Sequence, residues 1–245
     1  MRSLLVINPN TSSSVTHLLQ HHVQRVVGPS VTVRTMSARF GAAYITSEAT
    51  YAVAQHAVLD AWAVALSRRE PRPEAVLIGC FGDPGLFALR EGAGAPVSGL
   101  AEAAFAAAAR HGRFAVVTGG ERWRPMLERL ACALGHSETL AGIHTVAPTG
   151  ADLAADPPRA RRLLTRACLD AAQRFDAHAL ILGGAGLAGL ADTIAPDLPL
   201  PLIDSVTAGA EWAAQALQGP APITLPHSSF GVTWDNLSWE MAALR

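Results

Sequence analysis

The chain predicts an α/β fold of two pseudo-symmetric lobes, each on a mostly parallel four-stranded sheet, with an active site in the cleft between them. Three observations predict it. Short apolar runs alternate with amphipathic helical stretches, the pattern of βαβ units. The run Ile78-Gly79-Cys80-Phe81-Gly82-Asp83-Pro84-Gly85 has an altered echo in Leu182-Gly183-Gly184-Ala185-Gly186. Each follows a strand-like run, Ala75-Val76-Leu77 and Ala179-Leu180-Ile181, and the echo sets Gly184 104 residues after Cys80. Finally, 245 residues, 50% of them hydrophobic and 16% charged, suffice for two small cores and argue against disorder.

The elements follow in order. In the first half, strands are expected at Leu4–Ile7, Val31–Thr35, Ala75–Ile78 and Pro96–Ser98. Helices fit Ser13–Val27, Glu48–Ser67 and Leu100–Arg110. In the second half, Phe114–Val117 leads to a helix over Arg122–Leu134, a weak strand at Gly142–Val146 and a helix over Arg159–Phe175. The Ala179–Leu182 and Leu202–Ile203 strands complete it, and a last helix covers Val206–Leu217. The repeat extends further: Leu5–Asn10 matches Ala115–Gly120 at an offset of 110, and Ala95-Pro96-Val97 matches Leu200-Pro201-Leu202 at 105. The expected lobes are residues 1–98 with 205–245, and 99–204. The tail after Gln218 is Pro-rich, then aromatic (Phe230, Trp234, Trp239). Capping a lobe, covering the cleft and packing on a partner subunit all fit it.

Composition narrows the function. A net charge of −1 and the lack of a lysine-rich run argue against nucleic-acid or anionic-membrane partners. Met1-Arg2-Ser3 leads directly into a strand rather than a signal core, and no apolar run reaches the ~20 residues that span a bilayer. The three cysteines lack metal-type spacing and form no obvious disulfide framework. A cytoplasmic protein is expected.

In open parallel sheets, ligands sit beyond the carboxyl ends of the strands. The candidate chemistry lies there. Cys80 ends a strand, and Asp83 with Pro84 reads as N-cap and first residue of a helix. A thiol so placed is expected to have a lowered pKa. Gly184, in Gly183-Gly184-Ala185-Gly186, sits in a loop whose amides can approach a ligand oxygen closely. No Walker Lys-Ser/Thr follows it, and Gly184-x-Gly186-x-x-Gly189 lies too late in the chain for a dinucleotide fingerprint. Asn8, at the tip of the first strand, is a ligand candidate, while Thr11 or Ser12 suits a helix cap. Thr118-Gly119-Gly120, its counterpart, offers a hydroxyl and successive amides to a carboxylate or imide oxygen. His17 and His21 have a metal-compatible spacing but no third ligand nearby. Cys132 and Cys168 are expected in helix cores, and no Gly-x-Ser-x-Gly elbow is present.

These motifs together resemble the hydantoin racemase branch of the Asp/Glu racemase superfamily. The resemblance rests on Ile7-Asn8-Pro9-Asn10-Thr11-Ser12, Cys80-Phe81-Gly82-Asp83-Pro84-Gly85-Leu86, Ala101-Glu102-Ala103-Ala104 and Gly183-Gly184-Ala185-Gly186-Leu187-Ala188, in that order over about residues 3–215. It implies two Rossmann-like lobes, an active site between them, no metal or organic cofactor, and assembly into dimers or larger homo-oligomers. It also implies a small carboxylate, hydantoin or imide-like substrate whose α-proton is moved by two opposed cysteines, with an amide cradle stabilising the enolate.

Carried onto this chain, the resemblance makes Cys80 one acid/base. Asn8, Thr118, Gly119 and the backbone at Phe81, Gly82, Ala185 and Gly186 become the substrate-binding cradle. Tyr44, Ile45, Thr46 and Ser47 are expected to line the pocket, although Thr46-Ser47 departs from the family's usual Glu-Gly. The chief departure is Gly184, which stands where the family carries its second cysteine. A relative with one cysteine, arylmalonate decarboxylase, protonates an enediolate from one face. Its thiol occupies the second position, so Cys80 would protonate the opposite face. Three readings follow: a one-thiol decarboxylase or isomerase, a hydantoin or amino-acid racemase whose second base is different or has been engineered away, and a cysteine hydrolase (with His56 or His144 as partner) or a binding protein that reuses the cleft.

Overall fold

The computed structural model describes residues 2–68, 70–148, 150–219 and 230–244. The apolar runs form two four-stranded sheets, every paired strand parallel. The first contains β1 (Arg2–Asn8), β2 (Val31–Ser37), β3 (Ala75–Ile78) and β4 (Val97–Gly99), in the order β2-β1-β3-β4. The second contains β5 (Phe114–Gly119), β6 (Leu140–Val146), β7 (Ala179–Gly183) and β8 (Leu202–Asp204), in the order β6-β5-β7-β8. The identical order is the structural form of the repeat. The central strands are buried on both faces, so they read as continuous apolar runs rather than alternating ones.

Helices cover both sheets. In the first half these are α1 (Ser13–Val27), α2 (Glu48–Ser67), α3 (Leu86–Gly92) and α4 (Leu100–Ala109). In the second they are α5 (Trp123–Ala133), α6 (Gly150–Ala155), α7 (Pro157–Arg174), α8 (Leu190–Ile194) and α9 (Ser205–Gln218), with a short α10 (Trp239–Ala242) in the tail. Ser12 caps α1 through a bond from the Val15 amide, and Ser47 with Thr50 forms a capping box on α2. Two helices cross between the sheets. α4 packs against β7 and α9, while α9 packs against α1 and β3. Fully buried Phe105 on α4 joins Phe81 and Phe114 in one aromatic cluster between the two halves. Each such ring contributes about 1.5–3 kcal/mol by burial.

Three details differ from the sequence reading. The helix after Cys80 begins at Leu86 behind Gly85, and Asp83 does not cap it. Asp83 adopts a φ of 52°, which turns its side chain toward another helix. Cys132 is exposed, because Leu127, Leu130 and Ala131 take the buried face of α5; Cys168 is buried in α7. The short helices α3, α6 and α8 lack the length for a clear periodic signal. In the tail, the Phe230 ring lies where a side chain on Gly92 would sit, and α10 rests on α2. There Arg39 bonds both Asp60 and Glu240, and the Ser238 hydroxyl donates to Asp60 at 2.8 Å. The described tail therefore packs on the first half, and its Pro-rich stretch 220–229 lies outside the described residues.

Candidate active site

The carboxyl ends of β1, β3, β5 and β7 surround a small cavity of ≈ 80 Å³. Cys80 and Phe81 enter it from β3, Thr118, Gly119 and Gly120 from β5, and Gly184, Ala185 and Gly186 from β7. Tyr44, Ile45 and Thr46 close it from the loop before α2. That loop is pinned to the end of β1, since Ala38 donates to Asn8 O and Ala42 O accepts from Thr11. Of the sequence candidates, Cys80, Gly184, Phe81, Thr118, Gly119, Ala185 and Gly186 line the cavity, whereas Asn8, Ser47 and Gly82 do not.

The exceptions have local causes. Asn8 is fully buried and donates through Nδ2 to Asn10 Oδ1, Ser12 O and Thr16 Oγ1, so its amide organises the β1–α1 turn. Asn10 faces the cavity instead. Its Oδ1 accepts from Asn8 and from the Ser12 amide, which leaves Nδ2 for a ligand. Ser47 is committed to capping α2. Gly82 lies beneath Trp123, whose ring occupies the space a side chain at 82 would need. Trp123 was not singled out from sequence, because nothing in its spacing marks it. Asn10 carried a weak signal: it matches Gly120 in the repeat, and both line the cavity.

The two loops touch across the cleft. The Phe81 ring lies where a side chain on Gly183 would sit. The Thr118 hydroxyl donates to Gly183 O at 2.8 Å, so its proton is spent and only its lone pairs remain for a ligand. The Gly184 amide donates to Ser205 Oγ at 3.2 Å. Among the described residues lining the cavity, Cys80 and Tyr44 are the titratable ones. No histidine among the described residues lines it: His56 borders a separate cavity behind α2, and His144 lies on β6.

Cys80 is 8% exposed. Burial first, and then the neighbouring Asp83 carboxylate, push its thiol well above the ordinary range. This reverses the expected lowering, because the helix that follows starts only at Leu86. Asp83 is 1% exposed, and burial raises its carboxyl to about 7 against the pull of amide hydrogen bonds from Ala101 and Glu102.

A family model described as Asp/Glu/Hydantoin racemase matches residues 4–213. The chain belongs to the Asp/Glu/hydantoin racemase family. A hydantoin racemase of Paenarthrobacter aurescens is 34% identical over 215 residues, covering 86% of this chain and 89% of the relative. One from Pseudomonas sp. (strain NS671) is 32% identical over 209 residues, covering 85% and 83%. Among solved structures, allantoin racemase from Klebsiella pneumoniae superposes with a TM-score of 0.83 at 29% identity, covering 91% of this chain and 90% of that one. A mutant of arylmalonate decarboxylase shares the fold at a TM-score of 0.66 and 17% identity, covering 91% and 97%.

Gly184 borders the cavity together with Cys80. A Cβ there would meet Leu187 carbons at 3.4 Å, an ordinary contact, so space for a side chain exists. The backbone is the obstacle: Gly184 has a φ of 144°, a conformation that side-chain-bearing residues rarely adopt. Cys80 is not among the residues with positive φ.

Proposed function

We propose that this protein is a cofactor-independent enzyme that transfers a proton at the carbon α to a carbonyl of a small hydantoin-type or carboxylated substrate, from one face only. The observation that carries the reading is the pairing of a buried thiol, Cys80, with a glycine at its counterpart position. The relatives' names support the substrate class, since they are hydantoin and allantoin racemases.

The residues suit an acid role. Cys80 holds its proton at neutral pH, because burial and Asp83 disfavour the thiolate. When an enolate-like intermediate forms, by loss of a carboxylate as CO₂ or by transfer of the α-proton to the small thiolate fraction of Cys80, its charge moves onto the carbonyl oxygen. The amides of Phe81, Ala185 and Gly186, with Asn10 Nδ2, can donate to that oxygen. Cys80 then gives its proton to the α-carbon, and solvent returns one to sulfur. Thr118 Oγ1 can accept from an imide N–H, its own proton being held by Gly183. The cysteine-hydrolase reading lacks its activating histidine among the described residues lining the cavity.

The test is incubation of single-enantiomer hydantoins and of arylmalonates in D₂O. The expected result is one deuteron at the α-carbon with a single configuration, dependent on Cys80. Absence of Cys80-dependent deuterium sinks the reading. A second reading is favoured by Tyr44, the other titratable group lining the cavity: a racemase in which Tyr44 serves the opposite face. It predicts racemisation that disappears in Tyr44→Phe, and restoration of Gly184→Cys would then raise it further.

A further inference from the structure

We propose that Asp83 is a positioning residue for the Cys80 proton: its carboxylate ties the Cys80 loop to the first turn of α4 and, held within that loop, keeps the proton on sulfur until substrate is seated. The proposal rests on the reading of Cys80 as the proton-transfer group.

The geometry carries it. Asp83 Oδ1 accepts from the Ala101 amide at 2.9 Å and Oδ2 from the Glu102 amide at 2.7 Å. The Asp83 amide donates in turn to Cys80 O at 3.1 Å. One residue thus connects the thiol loop to α4, the helix that packs on β7 and so on the opposite half. Gly99 makes this possible, since a Cβ there would overlap the Asp83 carboxyl. In the other half the same task is done from a different position. Asp204, the counterpart of Gly99, accepts from Val206 and Thr207 at the start of α9 and from the Gly189 amide. The counterpart of Asp83 there is Leu187. The loop with the thiol carries its carboxylate three residues from sulfur, and the loop without a thiol does not.

Other titratable groups around Asp83 are already engaged. Tyr51 of α2 donates to Gly82 O at 2.8 Å, and Arg129 of α5 lies near it. Glu102 of α4 is bonded by Arg90 of α3 and by Ser98, each at 2.6 Å. His56 of α2 borders the same cavity as Asp83, facing the tail's apolar Trp234, Leu237 and Met241.

The experiment is the pH profile of Cys80 alkylation by iodoacetamide, read on the Cys80 peptide by mass spectrometry so that exposed Cys132 does not interfere. It needs no substrate, so it reports on Asp83 even if Cys80→Ser were to leave turnover intact and sink the functional reading instead. The wild-type midpoint is expected above the ordinary thiol value of ~8.5. Asp83→Asn, which tolerates the left-handed backbone, is expected to lower it by roughly one pH unit. The same variant should lose about ten-fold in kcat for deuterium transfer with little change in KM. A purely structural role leaves the midpoint in place, and that result overturns the proposal.

The double variant D83G/G99D moves the cap to where the other half keeps it. It is expected to recover the thermal stability lost in Asp83→Gly while kcat stays low; full recovery of kcat also overturns the proposal. If neither variant folds, a wild-type midpoint at or below ~8.5 overturns it alone.

Discussion

The two halves share a strand order but solve the end of their third strand differently. In the first, Cys80 lies two residues past the end of β3, the left-handed turn falls at Gly82 (φ 143°), and the acid that caps the next long helix sits inside the loop at Asp83. In the second, β7 ends with the turn already at Gly184 (φ 144°), and the capping acid has moved to Asp204 at the end of β8. Moving the positive φ by two residues takes the counterpart of Cys80 into a conformation suited to glycine. The difference teaches that Gly184 is not simply Cys80 without its side chain. The loop around it has a different backbone path and a different electrostatic setting.

The largest effect tests which half does the chemistry. Cys80→Ser is expected to lower α-carbon deuterium incorporation by roughly 10²–10⁴-fold, measured by mass spectrometry of product. Retained activity would shift the chemistry to the opposite loop and break the comparison. Next comes Gly99→Ala, whose new methyl collides with the Asp83 carboxyl; about 1–3 kcal/mol of stability should be lost, a fall of several degrees in Tm. Asp204→Ala removes the matching cap from α9 and should cost about 1–2 kcal/mol by the same measurement. Gly184→Ala has room beside Leu187 but meets the backbone cost, so about 1 kcal/mol is expected from chemical denaturation.

The subtlest is a slope with pH. The folded state raises Asp83 from an ordinary 3.8 to about 7, so it binds that proton more tightly than the unfolded chain does. The stabilisation from this proton is full below the unfolded value and is lost as pH rises toward about 7. The Tm difference between wild type and Asp83→Asn should therefore shrink from pH 4 to pH 7. A constant difference would mean that Asp83 stays ionised throughout.

Much of the molecule was legible in the chain. Continuous apolar runs specify strands buried on both faces, and the repeat specifies two like sheets. The cleft loops were also legible, because Gly-rich strand ends are where parallel sheets bind ligands. Individual side chains were less so. Asn8 and Asn10 are equally polar in sequence, yet one saturates its hydrogen bonds within a turn and the other faces the cavity. Trp123 and Ser205 reach the site from elements whose placement depends on how the halves meet.

The sequence by itself determined the duplicated α/β fold, the family and the thiol in the Cys80 loop, since periodicity, repeat and motif are properties of residue order. The tertiary structure alone decided that the thiol is held protonated rather than activated, and that Asp83 caps α4 and not the helix beside it. Both outcomes depend on burial and on which amides a carboxylate can reach, and neither is a property of neighbours along the chain.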